Sequence, residues 1–487
     1  MSTLRKFLVA LVVLVVVAGA LLWFLTRGDT ADLSEAQVSG GKPTIAEADG
    51  QTIPTVGIAK PVGWKSGERP VAAEGLEVTR FADGLDHPRS VYTLPNGDVL
   101  VAETNSPPRN GGGLTGMVER WLMNKAGAGE PSPNKIVVLR DTTGDGKADK
   151  RFVMANPALN SPFGMVLRDG RLYVANNDAV VSWPFQPGDT QLQGKPEKLV
   201  DLPAGGEHWV RNLVLSPDGS KLYISVGSST NIADNGIAAE KGRAVIDEYN
   251  FATGKMREFG GGMRNPNGMA FEPATGELWT VVNERDMLGS DGPPDYLSNV
   301  PIGVQYGWPW VYWKDHYDGR VKAPPPDYLT GYVRKPEYSL GAHTAPLGLA
   351  FVKGGTLLGP NYADGAVIAR HGSWNRKPLA GYDVVFVAFD DHGNVLPGQP
   401  KPILTGFLAD KDGDKTHGRP VWVEWAKDGA LLVSDDVGGV IWRVTAPGAA
   451  PAKPIAPIKS DLVPKEPKLN GSIATPDYQS KLMQPGR

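Results

Sequence analysis

One pattern constrains this chain more than any other. An apolar strand, a glycine-centred turn and a second strand ending in polar residues recur six times between His87 and Asp436. The copies are "HPRSVYTLPNGDVLVAETN" from His87, "SPFGMVLRDGRLYVANND" from Ser161, "HWVRNLVLSPDGSKLYISVGS" from His208 and "RNPNGMAFEPATGELWTVVNE" from Arg264, followed by two more. The fifth, "TAPLGLAFVKGG" from Thr344, takes "GAVIARHG" as its second strand, and the sixth is "GRPVWVEWAKDGALLVSDD" from Gly418. The turns "PNG", "RDG", "SPDG", "PATG" and "KDG" carry the glycine that hairpin loops need. Alternation in "LYVA", "VEWA" and "LLVS" belongs to strands rather than helices. The copies start roughly 50 to 80 residues apart, room for a four-stranded unit and its loops. The chain is therefore expected to be all-β, a six-bladed β-propeller. The strand "LEVTRF" (76–81) completes the blade holding "GVIWRV" (439–444) and closes the ring. A two-sheet sandwich is the alternative, and six regularly punctuated hairpins suit it poorly.

The N-terminus gives an address. Arg5 and Lys6 precede an unbroken apolar run of 19 residues, Phe7 to Leu25. At about 1.5 Å per residue such a helix nearly crosses a hydrocarbon core of about 30 Å. Residues 1–28 are predicted to be a transmembrane signal anchor, single-pass, with the catalytic domain on the periplasmic, extracytoplasmic side because the positive flank stays inside. A cleaved signal peptide ending near "AGA" (18–20) is the alternative, although the apolar run continues past that point. Residues 29–74 read as a polar linker away from the membrane, 75–446 as the propeller, and the Pro- and Lys-rich 447–487 as an extended strap or disordered tail.

Composition excludes several chemistries. With no cysteine, neither thiolate catalysis nor a disulfide framework is available, and a net charge of −3 with both signs interspersed offers no basic face for nucleic acid. Gly (60) and Pro (42) make up about a fifth of 487 residues, as many turns and short strands require.

A hairpin returns to where it began, so residues opening its first strand and those ending its second share one edge. Arg264 and Asn265 should neighbour Asn283, Glu284, Arg285 and Asp286. By the same rule His87 and Arg89 meet Glu103 and Asn105, and His208 and Arg211 meet Ser228 and Ser229. Thr344 meets Arg370 and His371, and His417 and Arg419 meet Asp435 and Asp436. As inner strands of blades, all these converge on one mouth of the central channel. His208 suits a general base, or is structural. Arg264 and Asn265 suit a planar anionic ligand, or cap loops. The Asp/Gly runs "DTTGDGKAD" (Asp141, Asp145, Asp149) and "DKDGDK" (Asp410, Asp412, Asp414) are shaped like calcium loops but open no hairpin. The aromatic-rich insert of residues 301–340 is expected to pack beneath a long loop.

The motifs "GGGMRNPNGMAF", "VVNERDMLG", "PDYLSNV", "YGWPW", "HTAPLGLAF", "RHGSWNR" and "GRPVWV" occur in the order found in the soluble-type quinoprotein sugar dehydrogenases. Over residues 75–445 the chain resembles that family, above all its sorbosone dehydrogenase-like branch and the aldose sugar dehydrogenases. The resemblance implies a six-bladed propeller holding pyrroloquinoline quinone (PQQ) and Ca²⁺ over the channel mouth. His208 falls at the catalytic base. Arg264 and Asn265 fall at the pair contacting the quinone, and Thr344, Arg370 or His371, His417 and Arg419 at contacts to its carboxylates and carbonyls. Glu284, Arg285 and Asp286 fall where backbone or side-chain oxygens bind Ca²⁺. This chain reads "NERDM" where glucose-oxidising relatives have Glu-x-Gly-Pro, and His417 with Arg419 where they have two arginines. The implied reaction is oxidation of an aldose or a sugar-derived aldehyde such as sorbosone, with electrons passing to a membrane quinone or cytochrome. Two other functions compete. One is a metal-dependent lactonase-like hydrolase with Glu103, Asn176 or Asn177, Asn283 and Asp435 around one ion. The other is a non-catalytic propeller binding glycan or protein.

Overall fold

In the computed structural model the hairpins are the inner halves of six blades. The structure describes residues 3–26, 28–51, 53–108, 113–327, 329–410 and 414–458. Blade one is Pro88–Thr93, Val99–Glu103, Lys135–Arg140 and Lys150–Ala155, paired antiparallel in that order. Blades two to five repeat this plan, their first strands beginning at Met165, Arg211, Asn265 and Pro346. Blade six takes three strands from Pro420–Trp425, Leu431–Asp435 and Val440–Thr445, and its fourth from the far N-terminal side, Glu77–Ala82. Ile441 opposes Ala82 and Thr445 opposes Glu77, which is the closure expected of "LEVTRF".

Period-two alternation builds the core. On the second strand of blade two, Leu172 and Val174 pack against Leu100 and Val138 of blade one. Tyr173 and Ala175, one residue out of phase, pack against Leu213 and Ile224 of blade three. The same device fills every other gap between neighbours, so each blade is apolar on both faces and unstable alone. Fully burying one such Val or Leu contributes roughly 1.5–3 kcal/mol. Glycine sets how closely the inner strands approach. A Cβ on Gly164 would lie 2.4 Å from the backbone nitrogen of Leu213, one on Gly268 2.6 Å from the Leu347 carbonyl, and one on Gly348 2.7 Å from the Val423 nitrogen.

The segment after the apolar helix departs from expectation. Residues 29–74 are no spacer leading away from the membrane. Ser39–Gly40 pairs with the outer edge of blade four, Lys60–Pro61 runs parallel to Lys415–Thr416, and Val71–Ala72 caps the outer edge of blade five. The physical reason is that blade edges carry unpaired backbone groups that a polar extended chain satisfies, while Val38 and Ala59 bury their side chains. The insert packs as expected, with Tyr306, Tyr312 and Trp313 buried between blades three and four. Beyond the last blade, Ala452 hydrogen-bonds Thr356 and Ile458 reaches the Ala274 carbonyl. The expected tail past residue 458, and Asp412, lie outside the described residues. The helix Thr3–Thr26 is long and apolar enough to cross a membrane.

Candidate active site at the channel mouth

The mouth is built from the strand ends named above. Asn265 opposes Asn283 in register and donates to its side-chain oxygen at 3.2 Å. Arg264 is buried and fully engaged: Nη1 donates to the Glu284 carbonyl (2.7 Å), Nη2 to Asp286 Oδ2 (2.8 Å) and Nε to the Asn231 carbonyl (3.2 Å). Asn265 Oδ1 is buried without a partner among the described residues. It stands beside His208, because a Cβ on Gly227 would meet Asn265 Oδ1 at 2.4 Å and His208 Cβ at 2.6 Å. That close approach is what the glycine at 227 permits.

His208 is oriented by its neighbour. Its Nδ1 lies 3.0 Å from the Ser228 carbonyl and 2.9 Å from Ser228 Oγ, whose own proton goes to the Thr230 carbonyl at 2.7 Å. Both partners of Nδ1 are acceptors, so Nδ1 carries the proton. The neutral ring then holds its lone pair on Nε2.

Two charged groups flank this corner. In the first, Asp286 lies between Arg264 and His343, with His343 Nδ1 3.4 Å from Asp286 Oδ1. Burial alone would raise the Asp286 carboxyl, but Arg264, His343 and the more distant His208 outweigh it and hold it below the usual range. Burial likewise pulls His343 down, yet its hydrogen bond to Asp286 and the charges of Asp286 and Asp295 push it above an ordinary histidine. In the second, Asp436 accepts from Arg89 Nη1 at 2.5 Å and from His371 Nε2 at 2.9 Å. Burial works against that carboxylate too, but His371, Arg89 and Arg419 hold it well below the usual range. His371 itself is pushed down by burial and by Arg89 and Arg419, against the pull of Asp436. Arg89 also sits over the Trp209 ring, at 5.7 Å, and among the described residues its Nε is buried without a partner, as is that of Arg419.

The remaining expected residues are placed less centrally. Thr344 is buried, its hydroxyl on the Leu340 carbonyl at 3.2 Å and its carbonyl on Gly372. Arg370 turns away from the channel to Asp383 and to Glu35 of the N-terminal segment, so His371 is the member of that pair facing Asp436. His417 is held by the Gly63 carbonyl (2.9 Å) and stacked on Trp64, and Arg419 donates to the Ala59 carbonyl (3.0 Å). Glu284 turns inward to Arg285, whose guanidinium is wholly buried on the carbonyls of Pro309 and Val311. The Asp286 carbonyl accepts from Asn231 and from Arg320. Of the run 284–286, then, the Asp286 carboxylate is the side chain that joins the mouth cluster, and the Glu284 carbonyl joins it through Arg264. Sequence reasoning did not find Asn231 or Arg320, which come from an ordinary-looking loop and from the insert. Only the partner's position in space reveals them.

Of the residues expected of a hydrolase, Asn283 stands at the mouth, donating to the Pro346 carbonyl and accepting from Asn265, and the others are spent on blade corners. Glu103 pairs with Lys135 (2.9 Å), and Asn176 and Asn177 bind the backbone at Ala158 and Trp209. Asp435 accepts from Trp64, Trp442 and two backbone amides. Among the described residues the one trio of acidic and histidine side chains close enough to share an ion is Asp390, Asp391 and His392, on a loop at the opposite end of the blades. Asp141 folds its own loop by accepting from the amides of Thr143, Gly144 and Gly146.

A family model described as TrAA12-like matches residues 134–299 and 330–447, more than half of the chain. The chain belongs to the TrAA12-like family. Among curated relatives, a PQQ-dependent pyranose dehydrogenase of Coprinopsis cinerea is 25% identical over 438 residues, covering 78% of this chain and 55% of the fungal enzyme. A PQQ-dependent sugar dehydrogenase of Hypocrea jecorina is 24% identical over 242 residues, 47% of this chain and 51% of the relative. This TrAA12-like chain thus spans about half the length of either named enzyme. An uncharacterized protein of Borreliella burgdorferi is 29% identical over 59% of this chain and 76% of its own length. Of solved structures, the calcium form of Trichoderma reesei family AA12 has a TM-score of 0.62 at 21% identity, covering 77% of this chain and 97% of that one. The holo PQQ domain of the Coprinopsis enzyme scores 0.60 at 20% identity, covering 80% and 100%. At such identities the structures establish the propeller fold.

Proposed function

We propose that this TrAA12-like chain is a PQQ-dependent dehydrogenase of an aldose or a sugar-derived aldehyde such as sorbosone. The observation carrying the proposal is the corner formed by His208, Gly227 and Asn265, flanked by the guanidinium groups of Arg264, Arg89 and Arg419 and by His371. The polar set fits a planar tricarboxylate quinone: among the described residues the donors Arg89 Nε and Arg419 Nε and the acceptor Asn265 Oδ1 are buried without a partner, polar atoms of the kind a bound polar ligand completes. When bound, the quinone supplies the acceptor for the substrate's hydride. The chain's own work is to hold that group with Arg89, Asn265, His371 and Arg419, and to take the substrate's hydroxyl proton at His208 Nε2. Ser228 keeps that nitrogen basic by accepting at Nδ1. For Ca²⁺, the 284–286 run contributes the Asp286 carboxylate, which must part from Arg264 or His343 to coordinate an ion. The apolar helix would tether the enzyme to the cell membrane on its extracytoplasmic side, where a quinone or cytochrome takes the electrons.

The test is titration of the full chain in detergent with PQQ, with and without Ca²⁺, following the quinone spectrum and the unfolding temperature. A ligand at a hundred times its Kd adds about 2.7 kcal/mol of stability. Substrates and an artificial acceptor are then supplied. His208→Gln is expected to bind PQQ and lose turnover by about 10²–10⁴-fold, the usual worth of a general base. Absence of a saturable PQQ spectrum would overturn the proposal.

A further inference from the structure

The apolar helix ends at Thr26, and by Asp29 the chain is already fixed to the propeller. Asp29 Oδ2 accepts from the Ser290 amide at 2.6 Å, its own amide donates to Thr55 at 2.7 Å, and Ala31 donates to the Lys377 carbonyl at 2.7 Å. Ser290 and Lys377 lie in the loops that follow the second strands of blades four and five, at the mouth end of the blades. Three peptide steps, a reach of about 10 Å, separate the end of the helix from this face. A chain so short allows neither a long stalk nor an inverted domain.

The exposed apolar side chains fit this constraint. Both of the propeller's exposed tryptophans among the described residues, Trp121 (61%) and Trp374 (42%), stand in mouth-end loops. Trp121 shares the helix Gly113–Lys125 with the equally exposed Met117 four residues earlier, and Lys125 lies 5.9 Å from the Trp121 ring. Ile53 is exposed two residues past Gln51, whose amide donates to the Met287 carbonyl at this end. The opposite end exposes the separate aliphatics Ile302, Leu396 and Ile458 and, among the described residues, no tryptophan. Tryptophan next to lysine, carried on a short amphipathic helix, is the chemistry of a membrane–water interface.

We infer that the mouth of the propeller lies against the bilayer surface, with Trp121, Met117, Trp374 and Ile53 in the headgroup region. The inference rests on the helix being retained as an anchor. The catalytic face then meets the lipid rather than open solvent, sugar enters along the membrane plane, and a lipid-soluble acceptor reaches the site without a carrier.

The absence of cysteine makes the test direct, because each introduced thiol reports one position. Full-length Trp121→Cys and Trp374→Cys, with Val153→Cys and Leu396→Cys for the blade edge and the far end, are labelled with bimane. They are reconstituted in phosphatidylcholine–phosphatidylglycerol vesicles carrying nitroxide-labelled lipid. Lys125→Cys repeats the mouth measurement without removing a tryptophan. Quenching at 121, 125 and 374 with none at 153 and 396 is the expected result. Vesicles that float with the protein yet quench all positions equally, or none, overturn the docked orientation and leave the anchor standing. Protein left behind on flotation overturns the anchor, and the docked face with it.

Discussion

At the residue scale, the smallest side chains and the histidines make the sharpest claims. Gly348→Ala sets a methyl 2.7 Å from the Val423 nitrogen. Backbone cannot yield as a flexible side chain does, so the variant is expected to lose about 1–3 kcal/mol, the usual cost of overpacking, read by denaturant unfolding. Two mouth histidines oppose each other with pH. The folded value of His343 is raised by Asp286 and Asp295 against burial, so its contribution is complete below about 6.5 and fades as pH rises through the folded value. His371 is lowered by burial and two arginines, so its contribution holds above about 6.5 and is lost as pH falls. Taken as a pair, the two histidines give opposite slopes on either side of about pH 6.5. Unfolding temperatures against pH are expected to lose the alkaline slope in His343→Gln and the acid slope in His371→Gln. Variants that keep both slopes would refute the assignment.

At the scale of the element, the N-terminal segment is pinned to the propeller through Trp64. Trp64 packs edge-on to Phe407 and Trp442, stacks on His417 and donates to Asp435 at 2.7 Å. Trp64→Ala is expected to cost about 3 kcal/mol and to free His417 and Arg419, read as lower stability with faster dye reduction or altered PQQ affinity. This segment also marks where sequence reasoning stopped. The hairpins were legible because strand pairing and turn chemistry are local: a period of two and a glycine are visible within twenty residues. The placement of His208, Asn265 and Arg264 followed, since a hairpin's ends must meet. The strap left no such trace. Its order comes from the edges of blades four and five and from Lys415–Thr416, hundreds of residues away, and its polar sequence reads alike whether solvated or paired. Arg370 and His371 could not be told apart for the same reason. Neighbouring residues on a strand point to opposite sides, and the side on which Asp383 and Glu35 wait is a fact of the third dimension.

For the whole molecule, the ring is closed by a strand that precedes every blade. Glu77–Ala82 leaves the ribosome early, but its partner Val440–Thr445 follows only when the last blade has been made. Until then the sixth blade lacks an edge and the first lacks a neighbour. Contacts so distant in sequence make closure slow, and they also make it a proofreading step, since a truncated chain cannot complete it. A tether at the N-terminus would keep the waiting strand at the membrane while the remainder is delivered across. The finished ring of blades would thus assemble where its first residues were threaded, and breaking that one seam would be the shortest route to taking the propeller apart.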